Sequence, residues 1–126
     1  MDLKRLLTIH LQGFFYAFAG VNHFINPNFY YPIIPDYLPY HELINYGSGV
    51  LEIVFGLGLF FKQIRKYSAL GIIILLIAFI PSHWYFIEVG SCIEETLCVP
   101  TWVSWLRLVV IHPLLLFWAW KARNQH

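Results

Sequence analysis

Charge is scarce in this chain. Asp, Glu, Lys and Arg make up 12% of its 126 residues, too few to solvate the surface of a soluble domain of that size. Cysteine is nearly missing too: Cys92 and Cys98 are the whole complement. Their spacing excludes the CxxC of a thioredoxin-like redox centre. There is no glycine-rich phosphate loop, nucleophile elbow or haem-attachment motif. No basic surface suits nucleic acid, so none is expected as a partner. His23, His83 and Glu52 have the chemistry of metal ligands but no ligand spacing, and no metal is expected.

Apolar residues are what the chain has in plenty: 59% are hydrophobic and 19% aromatic. They gather into four runs, at about 6–24, 43–61, 67–87 and 102–120. Each has about 20 residues, the length a helix needs to cross a hydrocarbon core of about 30 Å. The runs are continuous rather than alternating, so helices are expected and strands are not. The fold class is therefore all-α: a polytopic membrane four-helix bundle, a single domain over 1–126 with the lipid bilayer as its first partner.

The few charges are sorted by connection. Lys4 and Arg5 precede the first run, Lys62, Arg65 and Lys66 join the second to the third, and Lys121 and Arg123 follow the fourth. The first connection carries Asp36 and Glu42 and the third Glu88, Glu94 and Glu95, with no Lys or Arg in either. The positive-inside rule then places both termini in the cytoplasm, in a multi-pass protein of the bacterial inner membrane type. Ala17-Phe18-Ala19 looks like a signal-peptide cleavage site, but the run is long for such a signal and holds Gln12, so a retained first helix is expected.

One carboxylate, Glu52, lies in the middle of the second run. A charge at that depth does not face lipid, so the face it shares with Asn45, Gly49 and Gly56 at helical spacing must point inward. In the first run Gln12, Tyr16, Ala19 and His23 share a face, and Gly13, Ala17 and Gly20 form a second, small one. Pro81 should kink the third run just before His83, and Pro113 the fourth just after His112. By depth, Asn22, His23, His83 and Arg107 fall in the outer half of the bilayer with Glu52 near its middle. Arg107 is the expected counter-charge of Glu52. His10 and His112 are expected to be packing or interface histidines. The polar layer reads either as a hydrogen-bonded core that fixes helix register or as a small pocket opening outward.

The first connection, INPNFYYPIIPDYLPYHE, holds four prolines and four tyrosines. It is expected as an ordered cap in the headgroup layer, either structural cover or a lid. For Cys92 and Cys98 a structural disulfide is the first reading, with free thiols and a redox-active pair as the others.

The segments AGVNHFINPNFYYPIIPDYLP, SGVLEIVFGLGL, IAFIPSHWYF and PTWVSWLRLVVIHPLLLFWAW together resemble the DoxX-like family of small four-helix membrane proteins. The Asn22-His23-Phe24 end of the first helix, the Gly49/Glu52/Gly56 face and Trp105-Leu106-Arg107 carry the likeness. His112 stands where many relatives carry glutamine. The family includes members linked to thiosulfate–quinone oxidoreduction, to redox-stress complexes and, in the MauE group, to maturation of a periplasmic enzyme. Animal relatives assist assembly of nicotinic receptors. With the apolar slot beside these ionisable groups, the reading is a redox-linked subunit of DoxX-like type that binds a quinone-like or other small amphipathic ligand through Asn22, His23, Glu52, His83 and Arg107. No cofactor is identified, with a quinone as the candidate, and whether the chain is an enzyme stays open. The alternative is an assembly factor without chemistry of its own, working on a membrane-protein partner or as a homo-oligomer. A transporter is the weakest reading, because four short helices leave little room for a pore and no inverted repeat is evident.

Overall fold

The computed structural model describes residues 3–93 and 96–124, so Glu94 and Glu95 lie outside the described residues. The chain is predominantly helical. Helix α1 runs Leu3–Ile25 and is followed by a short helix, α2 (Pro27–Tyr30), and a 3-10 turn over Tyr31–Ile33. Helix α3 spans His41–Gly58. Helices α4 (Arg65–Ala78) and α5 (Ile80–Glu88) form one continuous rod interrupted at Phe79. Helices α6 (Thr101–Leu106) and α7 (His112–Arg123) form another, joined by a π-turn over Arg107–Ile111.

The rods Arg65–Glu88 and Thr101–Arg123 are long and apolar enough to cross a membrane by length and composition. Four such runs were expected. The other two helices dilute their apolar content with inward polar residues: Gln12 and His23 are buried in α1, Asn45 and Glu52 in α3.

Each break has a local cause. Pro81 lacks an amide hydrogen, and the chain turns at Phe79, whose N–H reaches both Leu75 O (2.9 Å) and Leu76 O (3.3 Å). Pro113 would collide with the carbonyl four residues back in a regular helix. The π-turn absorbs that conflict, with the His112 N–H bonding to Arg107 O one residue further back than usual. Helix α5 ends in a Schellman motif: Gly90 takes φ +95°, its N–H bonds Ile87 O at 3.0 Å, and the Ser91 N–H bonds Phe86 O at 2.9 Å.

Strands were not expected, yet a minimal hairpin follows. β1 (Cys92–Ile93) pairs antiparallel with β2 (Leu97–Cys98), Cys92 directly opposite Cys98. The two cysteines are disulfide-bonded.

Helices α1 and α3 pack backbone to backbone at two levels. A Cβ added at Gly13 would lie 2.8 Å from Gly56 O, and one at Gly20 would lie 2.5 Å from Gly49 O. The glycines are spaced by seven on both antiparallel helices, so two turns separate the contacts. The apolar core fills the end of the molecule near both termini. Ile9, Tyr16, Leu59, Ala69, Ile72, Leu76, Ala119 and Ala122 meet there. Buried Arg65 closes that end, its Nε donating to Leu59 O at 2.8 Å, where α3 leaves carbonyls unpaired. The opposite end, under the α2 segment, is polar inside.

Candidate functional site

Helix α1 delivers His23 to that polar end, and the Gly20–Gly49 contact brings α3 close enough to meet it. Asn45 Nδ2 donates to the His23 carbonyl at 3.0 Å. The amide is thereby oriented, so its Oδ1 faces His23 Nδ1 at 2.7 Å and must accept from it. The Nδ1 proton is thus committed. The other ring nitrogen, Nε2, lies 3.5 Å from Glu52 Oε2, an ion-pair separation but long for a hydrogen bond. Oε2 is buried without a hydrogen-bond partner.

Above it sits the connection between α1 and α3. The Tyr30 ring stacks on the His23 ring at 3.9 Å and 13°. Asn22 Nδ2 donates to Tyr30 Oη at 2.6 Å, and Asn26 Nδ2 donates to Asn22 Oδ1 at 2.7 Å. Ile34 and Pro35 are buried, and His41 Nε2 donates to the Pro35 carbonyl at 3.1 Å. The segment is an ordered cover over the site, fastened at both ends. Burial holds the Tyr30 phenol above its usual pKa, against the hydrogen bond from Asn22.

The other two rods supply His83, His112, Phe86 and Arg107. His112 Nε2 donates to Leu76 O, a carbonyl beside the break at Phe79, and so clamps α7 to α4. The His83 ring meets the His112 ring edge-on at 4.8 Å. Arg107, at the start of the π-turn, is half-buried with its guanidinium 5.5 Å over the Phe86 ring.

These groups enclose a cavity of about 210 Å³. His23, Glu52, His83 and Arg107 all line it, with Asn45, Tyr30 and Phe86. Apolar walls come from Phe29, Ile33, Ile34, Ile44 and Phe79. Two expectations need correction. Arg107 forms no ion pair with Glu52; His23 is the group beside that carboxylate. Asn22 does not line the cavity but fastens the lid from behind. Sequence reasoning passed over Tyr30, Ser48, Ser82 and Phe86 as lining residues. Ser48 had a signal, one helical turn before Glu52; Ser82 had none. Among the described residues no group of three or more His, Cys, Asp or Glu side chains could hold a metal ion.

The fold and cavity define a predominantly helical protein with a lidded internal polar site. The chain belongs to the family described as domain of unknown function DUF8561, whose model matches residues 12–123. No curated protein and no solved structure matches it.

Proposed function

We propose that the chain is an integral membrane four-helix bundle with both termini in the cytoplasm, and that it binds a small amphipathic molecule in the lidded cavity, in the outer half of the bilayer. The candidate spans support the membrane setting. Only 17% of the apolar window of each rod is buried inside the molecule, whereas a soluble protein's core helix hides that face. Ile74, Ile77, Val109, Leu114 and Phe117 point outward from these rods, and Phe14, Phe18, Val54 and Leu57 continue the apolar surface around α1 and α3. The convergence of His23, Glu52, His83 and Arg107, from four rods, on one apolar-walled cavity carries the reading. A histidine–carboxylate pair beside such walls suits a redox-linked subunit of DoxX-like type, with a quinone-like head as one ligand class.

The assembly-factor reading rests on small-residue faces and on the absence of a catalytic motif. Gly13, Gly20, Gly49 and Gly56 are occupied by the α1–α3 contact, which removes the first of these supports. The test is native mass spectrometry of protein purified in nanodiscs, with thermal shifts against a panel of quinones, fatty acids and their amides. A co-extracted small molecule or a saturable shift is expected. An interior with neither would overturn the proposal.

A further inference from the structure

The carboxylate that lines the cavity does not sit on its arginine. Glu52 is engaged by His23, whose Nε2 lies 3.5 Å from Oε2, and not by Arg107. Of the described acidic residues Glu52 alone lines the space. Asn45, Ser48, Ser82 and Tyr30 are neutral, and His83 can add only positive charge. Arg107 remains. A guanidinium cannot discard its proton, and this one has no carboxylate partner among the described residues. Its guanidinium lies over the Phe86 ring. A guanidinium carries five N–H donors in one planar fork, the geometry that grips an oxyanion two-pronged.

We propose, resting on the cavity reading above, that the ligand is an amphiphile of single negative charge. Its oxyanion head sits on Arg107 and its apolar part lies against Phe29, Ile33 and Phe79. The π-turn sets where this cation points, because Arg107 is its first residue. At about 210 Å³ the cavity is smaller than a typical ligand pocket of roughly 300–1,000 Å³, so it takes a compact head and leaves a longer tail to extend past the lid. The inference turns the site away from a neutral quinone and towards carboxylate-type heads.

Three probes of equal chain length separate the possibilities: octanoate, octanamide and octylamine, titrated into the full chain in nanodiscs by calorimetry and thermal shift. Octanoate is expected to bind about tenfold more tightly than octanamide, and octylamine not at all. Arg107→Gln should erase the preference for octanoate over octanamide, and Arg107→Lys should keep part of it. If Arg107→Gln does not fold, the wild-type ranking decides alone. Octanamide binding as well as octanoate, or octylamine binding best, overturns the charge assignment and leaves the cavity reading standing. Binding of none of the three overturns both.

Discussion

His23 and Asn45 exchange two hydrogen bonds between α1 and α3, Nδ1 to Oδ1 at 2.7 Å and Nδ2 to the His23 carbonyl at 3.0 Å. Both residues are buried, so truncating one strands the other's polar atoms. Asn45→Leu is expected to cost about 2–4 kcal/mol, two buried groups at about 1–3 each less the gain in apolar packing. The double variant His23→Phe/Asn45→Leu should cost less than the sum of its singles, because the Nδ1 donor and its Oδ1 acceptor are removed together. Reversible unfolding in mixed micelles measures all three; strict additivity would mean that the two residues are not coupled.

The glycines of α3 divide into two kinds. Gly49 sits against the α1 backbone, with a new Cβ 2.8 Å from His23 Cβ and 2.9 Å from Gly20 O, while Gly47 has nothing within 4 Å. Gly47→Ala should therefore stabilise by about 0.5–1 kcal/mol through helix propensity and chain entropy. Gly20→Ala should destabilise by roughly 2 kcal/mol or more, since the atoms it meets include Gly49 O and the Ile53 backbone N. Equal effects at the two sites would contradict the close α1–α3 approach.

How far the sequence reached is clearest at four residues. The inward face of α3 was legible from one carboxylate at helical spacing from Asn45, Gly49 and Gly56, and all four are buried. The level that Arg107 shares with His23, Glu52 and His83 was legible, but rotation was not. The π-turn adds a residue to one turn and swings the helix by about 100°, and nothing short of packing reveals it. Asn22 failed for the same reason on a smaller scale. It neighbours His23 at the same height but points about 100° away, behind the lid instead of into the cavity. Tyr30 reached the site through a proline-rich connection whose path depends on tertiary contacts, so its stacking on His23 left no periodic trace.

The lid is held over His23 by Asn22, and the strength of that hold can be read by exchange. Asn22→Ala removes the donor to Tyr30 Oη, a 2.6 Å bond, and breaks the link to Asn26. Amide exchange across 27–33 should rise about tenfold, the effect of roughly 1.4 kcal/mol in local opening. Exchange across α4, far from the lid, should be unchanged. A uniform rise in both would point to global destabilisation instead.

The two cysteines test hairpin and topology together. Cys92 and Cys98 are the only cysteines in the chain, exposed and joined across the hairpin. Without reductant the protein should take up no maleimide, and after reduction it should take up two. The closed loop is short, so the double variant Cys92→Ser/Cys98→Ser should lose only about 2 kcal/mol in the chain-entropy account. In intact spheroplasts treated with a mild reductant, a membrane-impermeant maleimide should label both cysteines from outside. A cysteine introduced by Lys66→Cys in the double-serine background should stay unlabelled until the membrane is opened, because the proposed topology puts the basic connection on the cytoplasmic side. Labelling at position 66 from outside would reverse the orientation, and equal labelling from both sides would remove the membrane crossing itself.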